Sequence, residues 1–372
     1  MPRWIRRAAL LGALALAGTT LTLSLASAST SVQVEQGLQV YRQRCAECHG
    51  RELEGGWGPA LEGSAFRRKW TSPDKLRAYL QQNMPFAQAG TLSLEEYVNV
   101  TAFLLHHNGV PADGFADPAI RERWTIADQP VAGGAARRSW LWGPVGFATL
   151  WEDYAEAPGG KRLVQYFDKA RMEITQLDAP RESVDYVSYG LLARDLVTGQ
   201  VQIGNGQFKP LRPAEIAVAG DETDRLGPTY ATFAALTGRV EPRQAPVTAT
   251  IDRAGTVGAA PALGEYAATV FYVQETGHNI PNVFWDYLNS RGLLNRGGQL
   301  AEGPLFDPWY AAVGLPITEP YWAKVTVGGQ VRDVLVQVFE RRALTYTPDN
   351  PPGFQVEMGN VGQHYFRWRY GQ

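Results

Sequence analysis

Five consecutive residues, Cys45-Ala46-Glu47-Cys48-His49, carry the side chains best suited to chemistry in this chain of 372 residues. On one helical turn, residues three apart share a face, so both thiols can reach the two vinyl groups along one porphyrin edge. His49, four beyond Cys45, can swing its imidazole under the ring to ligate iron. This C-x-x-C-H spacing is the attachment pattern of a covalent haem c, one haem for the one motif. The chain has only 2 Cys and 5 His. Shuffling its own composition yields the pattern about once in 10⁴ trials, so the signal is specific. A zinc knuckle needs about four ligands, and no second Cys pair completes one. A thioredoxin-like pair leaves the adjacent His49 and Gly50 without a reason.

An iron that only carries electrons needs a sixth ligand. Beyond the initiator the methionines are Met84, Met172 and Met358, and only Met84 lies in the compact segment that holds the motif. Pro85 biases Met84 towards an extended backbone, as a loop presenting its side chain to a haem requires. A thioether ligand raises the potential relative to two imidazoles. The competing role for Met84 is core filler. His106 and His107 fall off the apolar stripe of their helix and should face water, where their charge complements the helix dipole.

These groups need elements to hold them. Val34, Leu38 and Tyr41 recur at helical spacing before the motif. Gly55, Gly56, Gly58 and Pro59 form a loop after it. A second helix is expected from a Ser72 cap and Pro73 in the first turn, through Leu76, Tyr79 and Leu80. A third opens on a Ser93–Glu96 capping box and continues through Leu94, Tyr97, Val98, Thr101, Ala102, Leu104 and Leu105. Asn108-Gly109 with Pro111 closes it. Phe103 lies off that stripe and is read as a place where another domain packs.

Residues 33–109 resemble a class I (monohaem) cytochrome c of the bacterial type. The resemblance rests on Gly37 and Tyr41, the C-x-x-C-H, Gly58-Pro59-Ala60-Leu61, Met84-Pro85, and the closing helix with Leu94, Tyr97 and Asn108-Gly109. It implies an all-α fold in which the first and last helices cross and the haem edge is exposed. It also implies that Cys45 and Cys48 hold the haem, that His49 and Met84 are its axial ligands, and that the Pro59 carbonyl accepts from the His49 ring. Trp70, with Arg67, Arg68 and Lys69 before it, resembles the family's propionate-side region.

Residues 1–28 read as an export signal. Arg3, Arg6 and Arg7 are followed by an apolar stretch from Ala8, and Ala26-Ser27-Ala28 offers a cleavage site. Thr19, Thr20, Thr22 and Ser24 dilute the apolar stretch; left uncleaved it would tether the protein to a membrane. The expected location is periplasmic, extracellular or cell-surface. Losing three Arg from 35 basic side chains leaves 32 against 37 acidic ones. A charge this close to neutral suggests neither nucleic acid nor an anionic membrane as an electrostatic partner.

Residues 110–135, rich in Pro, Ala, Gly and Asp, read as a linker. Beyond them short β-branched and aromatic runs bounded by Gly-Gly or Pro suggest hairpins. Val145-Gly146, Glu152 with Tyr154, Gly159-Gly160, Leu163-Val164-Gln165 and Phe167 recur in order later. The second set is Val313-Gly314, Glu319 with Tyr321, Gly328-Gly329, Leu335-Val336-Gln337 and Phe339. We read two β-rich copies, 136–215 and 263–372, separated by a linker with short helix at 216–262. Pro228 to Leu236 and Val283 to Leu288 are short helices or turns. Leu163 to Lys169, Gly277 to Ile280, Phe339 to Arg342 and Met358 to Gly362 resemble a module of exported Chloroflexota-type proteins. That likeness implies location and no chemistry.

The second half has no nucleophile elbow, phosphate loop or paired-His spacing. His278 and His364 read as structural hydrogen-bonders. Seven Trp (140, 142, 151, 285, 309, 322, 368) would bind glycans only if a row of them were exposed. The sequence thus predicts a multidomain protein, an all-α class I cytochrome c domain followed by a mainly-β tandem-repeat region with short helices. It would carry electrons between redox partner proteins rather than act as an enzyme, its C-terminal module contacting a cell surface, protein or glycan. The alternatives are the electron-accepting domain of an extracytoplasmic oxidoreductase and a haem-based gas sensor with an open sixth position.

Overall fold

The computed structural model describes residues 34–70, 73–110, 115–181, 183, 185–238 and 245–371. The export-signal segment 1–28, the Ser72 cap and the Arg68 side chain lie outside the described residues. The chain divides between Gly114 and Phe115 into two compact units. Among the described residues no helix is long and apolar enough to cross a membrane.

The N-terminal unit comprises helices α1 (34–44), α2 (Ala46–His49), α3 (Gly63–Lys69), α4 (Pro73–Asn83) and α5 (Leu94–His107). Helix α5 opens on the expected capping box. Ser93 Oγ accepts from the Glu96 amide at 3.2 Å, and Glu96 Oε2 accepts from the Ser93 amide at 2.7 Å. At its other end Asn108 Nδ2 donates to Leu104 O and to Leu61 O, tying the helix to the loop before α3. Helices α1 and α5 cross at Gly37, where a Cβ would lie 2.0 Å from Asn99 O and 2.7 Å from Phe103 Cβ. Phe103 therefore does not await another domain. It is buried in this unit, its ring 5.4 Å from that of Tyr41, because close crossing widens the buried face beyond the one stripe.

In the C-terminal unit, helix α6 (Pro118–Ala127) is capped by Asp117, whose Oδ1 accepts from the Ala119 amide at 2.8 Å. Ile120 on α6 is fully buried and joins the unit's largest apolar cluster. The linker expected at 110–135 is thus mostly folded. Arg121, Glu122 and Arg123 blunt the apolar period of a single short helix, and its Pro and Ala imitate a spacer. A shorter helix, α7 (Gln129–Ala132), follows.

Strands β1 (Gly146–Asp153), β2 (Lys161–Phe167), β3 (Arg171–Ile174) and β4 (Ser188–Tyr189) form an antiparallel meander. Then come α8 (Leu192–Thr198), the β5–β6 hairpin (Gln200–Gln202, Phe208–Pro210), α9 (Tyr230–Phe233), β7 (Ala249–Ile251) and β8 (Val257–Ala259). The hairpin β9–β10 (Thr269–Val273, His278–Pro281), α10 (Asn282–Leu288) and the hairpin β11–β12 (Arg291–Arg296, Gln299–Pro304) follow. The chain ends with β13 (Tyr321–Val327), β14 (Gln330–Val338), β15 (Ala343–Tyr346), β16 (Val356–Met358) and α11 (Val361–Tyr370). A six-stranded sheet runs in the order β16-β15-β14-β13-β7-β8. Strand β7 lies parallel to β13, Trp322 opposite Thr250, so the expected linker 216–262 contributes two strands to this sheet. A three-residue strand paired to a distant partner leaves no local signature.

Both Gly-Gly pairs sit at hairpin turns, between β1 and β2 and between β13 and β14. In each hairpin a Trp stands opposite the Leu of the Leu-Val-Gln run, Trp151 opposite Leu163 and Trp322 opposite Leu335. Glu152 and Glu319, matched in the sequence, are not equivalent in this register. Glu152 lies on β1 opposite Arg162, whereas Glu319 precedes β13.

Candidate haem site

Cys45 closes α1 and opens α2, with the Cys48 and His49 amides both donating to the Cys45 carbonyl at 3.1 and 3.0 Å. The motif is therefore one turn, as its spacing predicts. Both thiols are free, Cys45 half-buried and Cys48 exposed. Burial pushes the Cys45 thiol up to about 11.

His49 is buried, and its Nδ1 lies 2.8 Å from the Pro59 carbonyl oxygen, the contact that the resemblance implies. A carbonyl only accepts, so Nδ1 carries the proton and Nε2 keeps its lone pair. That is the tautomer a metal needs, with the donor atom fixed in direction. The loop reaches the ring because residue 58 is glycine. A Cβ there would sit 2.6 Å from His49 Cε1 and 2.7 Å from Nδ1. Gly58 also donates its amide to Cys48 O at 2.7 Å, and Gly55 to His49 O at 2.8 Å.

Met84 is the first residue after α4, half-buried, and packs with Cys45 against the same apolar cluster. The Met84-Pro85 peptide bond is cis. Tyr97 on α5 donates its hydroxyl to Met84 O at 2.8 Å and accepts from the Gly90 amide at 2.9 Å. It thereby clamps both ends of the loop after Met84. Sequence reasoning placed Tyr97 in the stripe and missed this role; the available signal was that a buried Tyr hydroxyl finds a partner. Met172 and Met358 are buried in the C-terminal unit. His106 and His107 are exposed, His107 lying 3.6 Å from Glu62, and each faces solvent as expected. Lys69 Nζ sits over the Trp70 and Tyr79 rings at 4.8 and 4.7 Å.

The residues present fit a covalent haem: two unpaired thiols one turn apart, an imidazole with its outer nitrogen free, and a thioether held by a clamped loop. The described residues of the C-terminal unit gather no comparable site. Among the described residues, no group of three or more His, Cys, Asp or Glu is placed to hold a metal. His278 Nδ1 lies 3.2 Å from Glu319 and Nε2 2.9 Å from Thr237 O, a buried structural pair. None of the seven Trp is exposed, so the row that glycan binding would require is not formed by them.

His364 Nδ1 lies 3.0 Å from Tyr230 Oη. Burial, with help from Arg367 and Lys169, pushes its imidazole down to about 4 from 6.5. The unfolded chain then takes up this proton first as the pH falls. Stability is full above pH 6.5 and declines towards pH 4, by about 3 kcal/mol in all. We expect His364→Gln to flatten the urea midpoint of the C-terminal unit between those pH values. A profile as steep as that of the unmodified protein would count against this assignment.

Fold and site together define the N-terminal unit as a cytochrome c-type domain, a haem electron-transfer module that binds iron through covalent haem c. Residues 32–104 match the family model described as cytochrome C oxidase, cbb3-type, subunit III. No curated protein and no solved structure matches the chain.

Proposed function

We propose that the protein is an exported monohaem cytochrome of class I that carries single electrons between redox partner proteins. Cys45 and Cys48 would hold the haem as thioethers, and His49, through Nε2, and Met84, through Sδ, would ligate its iron. The haem supplies an iron that alternates between ferric and ferrous. Pro59 orients His49, Gly58 makes room for that contact, and Tyr97 fixes the loop that presents Met84. The observation that carries this reading is the His49–Pro59 contact on a one-turn Cys45–Cys48 pair. The C-terminal unit, in this reading, is two β-rich copies serving as an interaction scaffold, outside the cytoplasm as the export signal implies. A second reading takes up the name of the matching family, an oxidase subunit. The haem unit would then accept electrons for an extracytoplasmic oxidoreductase whose substrate the C-terminal unit binds.

The test is an absorption spectrum of the haem-loaded protein, ferric and ferrous, with and without carbon monoxide. The ferric protein should show the weak sulfur-to-iron charge-transfer band, and the ferrous protein should ignore carbon monoxide. Met84→Ala should lose the band and bind the gas while keeping its covalent haem. Ready binding of carbon monoxide by the unmodified protein would sink the carrier reading.

A further inference from the structure

A cavity of about 210 Å³ lies in the C-terminal unit between α11 and one face of the six-stranded sheet. Thr345 on β15 stands opposite Glu357 on β16, so both side chains leave that face. Val336 of β14, opposite Thr345, packs there with Val361 and Tyr365 of α11. Lys169 reaches the cavity from the turn between β2 and β3. The lining thus brings two opposite charges to one small space without pairing them. Lys169 Nζ donates to Asn360 Oδ1 at 2.7 Å, and among the described residues no ion pair joins it to a carboxylate. Glu357 takes a 3.3 Å bond from Ser139 Oγ on one carboxylate oxygen and, among the described residues, none on the other. Burial holds the Lys169 ammonium below the usual lysine range, with Glu357 and then Asp168 opposing it. Asp221, the third charged group of the lining, already accepts from the Gly328 and Gly329 amides, at 2.9 Å each.

A cation and an anion that face one cavity are satisfied together by a single molecule carrying both charges. The rest of the lining suits such a molecule. Gly359 and Asn360, which open α11, lie beside Lys169, so the helix dipole favours a negative group at that end. Val218, Val327 and Val334 supply an apolar wall. At about 30 Å³ per water, the space holds roughly seven water-sized groups. The lining includes no Phe, Tyr or Trp, so a quaternary ammonium would lack its aromatic cage, whereas a primary ammonium needs only the carboxylate. We propose that this cavity binds a small apolar α-amino acid, its carboxylate on Lys169, its ammonium on Glu357 and its side chain against the valines. The site lies within the C-terminal unit, so its failure leaves the carrier reading untouched.

The experiment is isothermal titration calorimetry of the haem-loaded full chain with L-valine, isobutyrate and isobutylamine. Isobutyrate and isobutylamine each keep the branched chain and one of the two charges. L-Valine should bind saturably at one site per chain, and each single-charge probe at least about tenfold more weakly. Lys169→Met and Glu357→Gln should each weaken L-valine by at least about tenfold. Lys324→Met, which removes an exposed pair with Asp333, should bind it as the unmodified protein does. The comparison of the three probes needs no variant, so a variant that fails to fold leaves it intact. Absence of saturable L-valine binding up to about 10 mM overturns the proposal. So does a single-charge probe that binds as tightly as L-valine, or full affinity in both Lys169→Met and Glu357→Gln.

Discussion

Arg171→Leu should cost the C-terminal unit about 3–5 kcal/mol, the penalty for stranding buried charges when their partner is removed. Arg171 is 1% exposed at its side chain. Its Nη1 donates to Glu152 at 2.8 Å, its Nε to Glu173 at 2.8 Å, and its Nη2 also reaches Glu173. Glu152 further accepts from Arg369 at 2.6 Å, from Tyr166 at 2.5 Å and from Tyr370 at 2.8 Å, while Glu173 accepts from Arg162 at 2.7 Å. The network joins β1, β2, β3 and α11, so it bolts the C-terminal helix to the first sheet. Burial works to raise the Glu152 carboxyl, but Arg171 and Arg369 outweigh it and hold it below the usual carboxylate range. Its contribution is therefore present above that range and is lost as the pH falls through the folded value. Leucine would leave two buried carboxylates with one guanidinium each and an apolar gap between them. Urea unfolding followed by tryptophan fluorescence measures the cost, with haem absorbance reporting the other unit separately. A loss below about 1 kcal/mol would show that the carboxylates find other partners.

Gly37→Val should be nearly as severe, and confined to the haem unit. The first atom added already meets Asn99 O at 2.0 Å, and that oxygen belongs to the backbone of α5. No side-chain rotation relieves such a contact, so α1 and α5 must separate, breaking the Tyr41–Phe103 packing and the 3.0 Å Asn99–Gln36 bond. Overpacking of this kind costs about 3 kcal/mol or more. For a unit this small that lowers the melting temperature by at least about 12 °C. Haem absorbance on heating is the measurement, and the yield of haem-loaded protein should fall as well. A shift under about 3 °C would mean that the helices do not cross as closely as described.

How far each part was legible depends on the sequence distance over which its cause acts. Cys45, Cys48 and His49 needed only the i, i+3, i+4 spacing of one turn. The Ser93–Glu96 box and the Asn108-Gly109 stop of α5 are equally local, and the structure has them where the residues predict. The Gly-Gly pairs marked hairpins because two adjacent glycines accept positive φ, and Gly328 and Gly329 adopt 59° and 76°.

Other features had their causes across the fold. Helix α6 owes its place to Ile120 and Ala119 reaching a core built from strands far downstream, which its own weak period could not announce. Phe103 was misassigned because its burial depends on how closely Gly37 lets another helix approach. Glu152 and Glu319 looked alike in the sequence, yet one is gripped by arginines and the other by His278 and Asn279. Trp57 gave no hint in the sequence of its exposure, which is nearly complete in the folded unit. The residues alone determined the haem chemistry, because covalent spacing suffices to pair two thiols with an imidazole. Only the tertiary structure decided which strands meet, which charges share a buried site and which ring faces the solvent, because each depends on contacts between residues remote in the chain.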